Sequence, residues 1–379
     1  MKFGFFDLEF TPSPLEFGIF EFGISTPYLC TMKNLRDCTL EELEKMMLEK
    51  GEPKFRAKQV YEWIWTKFAA DIKDMSNLPK ALREKLEAEY FIPKAKIHHS
   101  QFSSDGTIKN RLQLHDGYFV ESVLIPTEKR MTACVSSQVG CSLACTFCAT
   151  GYLPRKRNLD FDEIVDEVTS LNEQAMKHSG RHLTNIVFMG MGEPLLNYRN
   201  VLKAIERITA PDGLGMSPKR ITVSTAGITK MIKQLGDDKV RFKLALSLHA
   251  ANDAKRNEIM PINESNNIQS LIEALNYFYN ATGNEITFEY ILFKNFNDSI
   301  KDADELVKIY RQVPADLVNI IEYNPIENAK FQKPDDDKVE LFMAYLASKR
   351  VNARLRVSRG KDIDAACGQL ANVDRPATT

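Results

Sequence analysis

Residues 131–148 read MTACVSSQVGCSLACTFC, and three of the chain's seven cysteines, Cys141, Cys145 and Cys148, fall in the last eight positions. The stretch starts as a short β-rich run, Met131 to Val135, and ends in a loop crowded with thiols. Downstream, apolar runs alternate with helix-length segments: Asn185 to Met189, Arg220 to Ser224, Phe242 to Leu248, Glu285 to Leu292 and Leu317 to Tyr323. Six strands spaced in this way predict βα repeats on a parallel sheet. Six units are too few to close the usual eight-stranded barrel. The expected fold class is therefore α/β, a partial (β/α)6 TIM-like barrel with its chemistry at the C-terminal ends of the strands.

Three closely spaced thiols on a loop suit zinc or an iron-sulfur cluster. Structural zinc wants four ligands, and Cys134, the nearest further thiol, lies inside the preceding strand with no second Cys-x-x-Cys knuckle in the chain. A 4Fe-4S cluster on three cysteines leaves one iron open to a substrate or cofactor. Both metals remain candidates on spacing alone.

Composition sets the outer limits. At 379 residues, with 44% hydrophobic and 27% charged residues, the chain lies outside the collagen-like, disordered and disulfide-dense classes. No apolar run approaches the roughly 18 residues of a membrane span, so a soluble protein with no membrane partner is expected. The net charge of -1 argues against a nonspecific DNA coater but leaves room for a local basic face. An odd number of cysteines with a dense central group points to metal binding in a reducing, cytoplasmic setting.

The flanks divide the chain into four parts. Residues 1–31 repeat Leu-Glu-Phe and Phe-Gly without sustained periodicity, and Asp7, Glu9, Glu16 and Glu21 interrupt any signal-peptide core. They are expected to be a disordered or artefactual leader, with Met32 as the start. Residues 32–99 read as a helical accessory domain: a Thr39/Glu42 capping box with Leu40, Leu43 and Met47, a helix from Phe55 to Trp65, and another near Pro79 carrying Leu82 and Leu86. Asp105-Gly106 and Asp116-Gly117 turns mark a small antiparallel unit whose last strand contains Glu121. Residues 100–360 then hold this unit and the barrel, and 361–379 form a C-terminal tail.

Polar residues recur where the barrel strands end. Gly190-Met-Gly192-Glu193-Pro194 follows the second strand, Ser224 ends the third, Ser247-Leu248-His249 ends the fourth, and Asn324 follows the sixth. Each alone has an ordinary structural explanation. Together, on one rim, they outline a ligand site.

The spacing Cys141-x-x-x-Cys145-x-x-Cys148, with Phe147 before the last thiol, resembles the signature of the radical S-adenosylmethionine (SAM) superfamily. The resemblance implies a 4Fe-4S cluster on these cysteines, SAM chelated to the open iron, and SAM contacts from Gly192, Glu193, Ser224, Ser247, Leu248, His249 and Asn324. Residues 132–140 (TACVSSQVG), Ala149-Thr-Gly151 and the tail stretch RGKDIDAACGQL at 359–370 narrow the likeness to the RlmN family of adenine-C2 RNA methyltransferases. GEPKFRAKQ at 51–59 and Asp105-Gly106-Thr107 extend it over about residues 32–372. After Gly151 the family commonly has a glycine and an aromatic residue before Arg-Asn-Leu, whereas this chain has Tyr152-Leu-Pro154-Arg-Lys before Arg157.

Read without the family, Cys367 is an isolated thiol beside Gly368, whose ordinary explanation is a buried structural cysteine. The resemblance implies more. Cys367 would carry a methyl group from one SAM, and a second SAM would yield the radical that activates it toward carbon 2 of adenine. Glu121 would accept the ring proton, against the plain alternative of a polar residue on an edge strand. Cys134 would release the product by forming a transient disulfide with Cys367, which must be reduced before the next turnover. The implied partners are 23S rRNA and tRNA and a reducing system of the flavodoxin or ferredoxin type, acting on a monomer.

Two basic runs are candidate phosphate contacts: Lys349, Arg350, Arg354, Arg356, Arg359 and Lys361, and Arg155, Lys156 and Arg157. Two competing functions stay open: methylation at carbon 8 by a relative with the same cysteines, and a non-catalytic zinc-containing RNA-binding protein. Cys30 and Cys38 are read as bystanders.

Overall fold

The computed structural model describes residues 32–372. The leader with Cys30, and the end of the tail, lie outside the described residues. One ten-stranded sheet organises the rest: β1 (Lys96–Phe102), β2 (Ile108–Gln113), β3 (Phe119–Pro126), β4 (Met131–Cys134), β5 (Asn185–Phe188), β6 (Ile221–Thr225), β7 (Lys243–Ser247), β8 (Ile286–Leu292), β9 (Leu317–Glu322) and β10 (Ala353–Arg356). The strands lie in sequence order across the sheet. From β1 to β4 they pair antiparallel, and from β4 to β10 all pairs are parallel.

All six expected barrel strands are present. A seventh parallel strand, β10, follows in the basic run, where Arg354 pairs in register with Asn319 and Arg356 with Ile321. The antiparallel unit begins at Lys96, ahead of the turn signals, and continues the main sheet through the β3–β4 pairing of Val123 with Cys134. Consequently β3 is an interior strand. The edge-strand explanation of Glu121 fails, since that residue is buried at 2% exposure between β2 and β4.

The helical module forms as its sequence dictates. Thr39 and Glu42 close a reciprocal capping box on α1 (Leu40–Glu49), followed by α2 (Phe55–Trp65) and α3 (Lys80–Glu87). It docks on α4 (Phe161–Ser179), whose first turns bury Asp162, Glu163, Asp166 and Glu167. Arg36 donates to Asp166 at 2.9 Å, Lys94 reaches the same carboxylate at 2.9 Å, and Trp65 packs on Phe161. Breaking such a buried pair from one side costs about 3–5 kcal/mol, so these contacts fix the module against the barrel. Further round the barrel come α5 (Tyr198–Thr209), α6 (Thr229–Asp237) and α7 (Asp253–Ile259). No helix among the described residues is long and apolar enough to cross a membrane.

Candidate active site

The thiol loop leaves β4 along a course set by close backbone packing. Gly140 has φ +78°, and a Cβ there would lie 2.3 Å from the Pro154 carbonyl oxygen. Beyond it the loop is pinned at several points. The Thr146 N–H donates to the Ile259 carbonyl at the end of α7 (3.1 Å), the Tyr152 hydroxyl donates to the Thr146 carbonyl (2.9 Å), and the Ala149 N–H donates to the Gly368 carbonyl (2.7 Å). Tyr152, the first residue of the Tyr152-Leu-Pro154-Arg-Lys segment, thus staples the loop. Cys141, Cys145 and Cys148 face one cavity that opens to solvent. Burial raises all three thiol pKa values, most strongly that of Cys145.

The strand ends supply the opposite walls. Gly190 and Gly192 are glycines because the chain before the thiol loop passes against them: a Cβ on Gly192 would meet the Gln138 side chain at 2.5 Å, and one on Gly190 the Ser136 hydroxyl at 2.7 Å. Glu193 accepts from the backbone N–H groups of Leu195 and Ala226, joining the β5 and β6 ends. Ser224 and Ser247 stand side by side, their hydroxyl oxygens 3.3 Å apart. His249 sits in the left-handed region at φ 54°, with Nδ1 accepting from the Ile291 N–H (3.1 Å) and its ring edge-on to Phe147. Its burial and the nearby Arg256 charge push its pKa down to about 3, which keeps the ring neutral with the proton on Nε2.

Two further thiols face the same cavity. Cys134, at the end of β4, is buried, and burial with the neighbouring Cys367 charge pushes its pKa up to about 12. Cys367 is exposed at the cavity wall, yet the protein around it still raises its thiol pKa, opposed by Arg356. Arg356, reaching in from β10, lies near both sulfurs and pairs with Glu289 of β8 at 3.3 Å. Glu289 also accepts from the Asn319 side-chain amide at 2.6 Å.

Of the thirteen residues singled out from the sequence, ten line this cavity; Glu121, Leu248 and Asn324 do not. Leu248 packs into the main hydrophobic core, and its carbonyl accepts from Arg256. The Asn324 side-chain amide donates to the Ser358 hydroxyl (2.9 Å) and the Cys367 carbonyl (3.3 Å), so it positions the tail. Glu121 opens into a separate cleft with Lys109, Tyr152 and Gln369. There its Oε2 accepts from the Ala371 and Asn372 N–H groups at 2.9 and 3.0 Å, and Lys109 lies 3.6 Å from Oε1.

The basic runs are only partly free for phosphate. Arg354 donates to Asn319 and Arg356 faces Glu289, both on the inner side of the sheet, while Lys361 pairs with Glu322. Arg157 forks onto Glu163 and contacts Asp116, leaving Arg155 and Lys156 as the exposed members of the second run. Sequence reasoning passed over Glu289 and Arg256. A carboxylate inside the otherwise apolar run of β8 was the signal for the first; nothing in the sequence around Arg256 marked it.

No three His, Cys, Asp or Glu side chains among the described residues converge as a site for a single ion. The ligands of one zinc must meet at bonding distance of one point, whereas each thiol of a cluster binds its own iron. Three soft thiols facing one open cavity with further polar groups on its walls fit a cluster with a bound cosubstrate.

A partial barrel carrying three cysteines on the loop after its first strand defines a radical-SAM enzyme. Family models agree: the Radical SAM superfamily matches residues 135–307, and the ribosomal RNA large subunit methyltransferase N-terminal domain matches residues 33–92. The chain is 54% identical to a probable dual-specificity RNA methyltransferase RlmN of Cytophaga hutchinsonii, covering 91% of this chain and 96% of the relative. It is 44% identical to a dual-specificity RNA methyltransferase RlmN of Nitratiruptor sp., covering 89% and 98%. A crystal structure of a radical SAM methyltransferase from Sphaerobacter thermophilus superposes with a TM-score of 0.84 at 38% identity, over 90% of this chain and all of that one. The chain belongs to the RlmN family of radical-SAM RNA methyltransferases, enzymes that use a 4Fe-4S cluster and SAM.

Proposed function

We propose that this enzyme methylates carbon 2 of an adenosine in 23S rRNA and in tRNA, through a methyl group carried on Cys367. The observation that carries the proposal is the pair of extra thiols: Cys134 and Cys367 share the cavity of the three cluster cysteines, and neither is needed to hold the cluster. When bound, the cluster and SAM supply the methyl group and the one-electron chemistry that activates it.

The chain's own residues do the rest. Cys141, Cys145 and Cys148 hold the cluster; Gly192, Glu193, Ser224, Ser247 and His249 wall the SAM space, and Asn324 steadies the Cys367 segment. Once the methyl carbon is joined to the ring, Glu121 takes the ring proton. The Cys134 thiolate then attacks the sulfur of residue 367. A sulfur–sulfur bond forms, the sulfur–carbon bond breaks, and its electron pair goes to the departing carbon, which takes up a proton to become the methyl group; the unpaired electron left by the radical addition would be taken up by the oxidised cluster. A flavodoxin- or ferredoxin-type donor reduces the disulfide of the monomeric enzyme in a reducing cytoplasm. Arg356 supports this exchange by opposing, at both sulfurs, the burial that raises the thiol pKa values.

Glu121 lines a separate cleft and is held by the Ala371 and Asn372 N–H groups, so these hydrogen bonds must be given up for the base to reach it. The target adenosine must also leave its stack to reach the cavity. The test is to incubate anaerobically reconstituted enzyme with 23S rRNA fragments and tRNA and locate the new methyl group by mass spectrometry of the nucleosides. Methyl at carbon 2 is expected; methyl at carbon 8 would replace this proposal with the alternative regiochemistry.

A further inference from the structure

Arg256, on α7, is wholly buried, and among the described residues no carboxylate forms an ion pair with it. Three other arginines with buried or half-buried side chains differ: Arg36 has Asp166, Arg157 has Glu163 and Arg356 has Glu289. Arg256 spends its donors on neutral oxygens instead. Nε donates to the Leu248 carbonyl (3.1 Å), Nη1 to the Asn263 side-chain oxygen (2.6 Å), and Nη2 to the carbonyls of Ala226 (2.6 Å) and Ser247 (3.2 Å). Asp253, the acidic residue that acts on it through space, is itself exposed. A buried cation held only by neutral dipoles is costly unless an anion balances it.

Two contacts show where that anion belongs. The helix that carries Arg256 ends at Ile259, whose carbonyl accepts the Thr146 N–H between Cys145 and Cys148. Ala226 and Ser247, whose carbonyls the guanidinium holds, line the cavity together with the three cysteines. With three thiolates attached, a 4Fe-4S cluster is anionic, and it gains another negative charge on reduction.

We infer that Arg256 is the buried counter-ion of the cluster, stabilising its reduced form more than its oxidised form and so raising its reduction potential. The inference rests on the family's cofactor and goes beyond it by assigning a residue that binds neither iron nor SAM. A merely structural Arg256, bridging strand-end carbonyls, would leave the potential alone.

The test is a redox titration of the anaerobically reconstituted holoprotein, with the reduced cluster followed by electron paramagnetic resonance. Arg256→Gln is expected to make reduction at least tenfold less favourable, a shift of about 59 mV to more negative potential for one electron. Arg256→Lys, which keeps the charge, is expected to stay near the wild type. An unchanged midpoint in Arg256→Gln, or an equal shift in both variants, overturns the assignment. Should Arg256→Gln fail to fold, the paired exchange Asp253→Asn with Asn263→Asp decides. Asn263 donates to Asp253 at 2.8 Å, so the exchange keeps that link while placing the carboxylate directly on Nη1. A negative shift supports the counter-ion role and an unchanged midpoint refutes it. Absence of any iron cluster in the wild type would instead refute the radical-SAM assignment itself.

Discussion

Two arginines flank the same cavity and live under opposite electrostatic regimes. Arg356 enters from β10 with Glu289 against it, so its charge is largely offset and acts locally, on the two sulfurs of Cys134 and Cys367. Arg256, buried on α7 behind the lining carbonyls of Ala226 and Ser247, hydrogen-bonds only to carbonyl and amide oxygens, and on the inference above its charge is left for the neighbouring cluster loop. On the proposed roles, the cavity divides into a side that serves electron entry and a side that serves thiol chemistry. Residue type alone does not distinguish them; the counter-charge does.

The division can be broken first on the cluster side. Cys145→Ala should abolish stable cluster binding and all methylation, read as loss of iron, sulfide and brown absorption in the reconstituted protein. On the thiol side the loss should be partial. Arg356→Met leaves Glu289 buried with Asn319 as its remaining partner, and should cost about 3 kcal/mol in denaturant unfolding, the low end for a broken buried pair because Glu289 can protonate. The same variant should alkylate severalfold more slowly at Cys367, since the cation that lowers this thiol's pKa is gone.

A smaller effect comes from His249, whose ring packs edge-on against Phe147 of the cluster loop. Its folded pKa of about 3 lies below the ordinary histidine value of about 6.5. The unfolded chain therefore binds the extra proton first as pH falls. The stability this ring contributes is complete above about pH 6.5 and is lost toward pH 3, at about 1.4 kcal/mol per pH unit. His249→Gln should show a correspondingly flatter decline in unfolding free energy between pH 6 and pH 4. The smallest expected change is at the surface: Arg155→Ala should weaken RNA binding across sequences and reduce the salt slope by about one.

Much of this was legible in the sequence, for identifiable physical reasons. Apolar runs such as Phe242–Leu248 and Leu317–Tyr323 became parallel strands because both of their faces are buried. The capping box at Thr39 and the thiol spacing at Cys141 are local signals that need no tertiary context. What escaped depends on distant partners. β10 reads as a basic run because its inward positions are arginines, and their carboxylate and amide partners, Glu289 and Asn319, lie on β8 and β9. Glu121 was identified by type, yet its present partners are backbone N–H groups of the tail, which no side-chain pattern reveals.

The most direct test of the division of labour among the cysteines is mass spectrometry of the Cys134→Ala holoprotein after incubation with SAM, reductant and substrate RNA. The account predicts a covalent protein–RNA species joined at Cys367, absent from the Cys134→Ala, Cys367→Ala double variant, with little methylated RNA released. Normal release of methylated RNA, with no joined species, would contradict it.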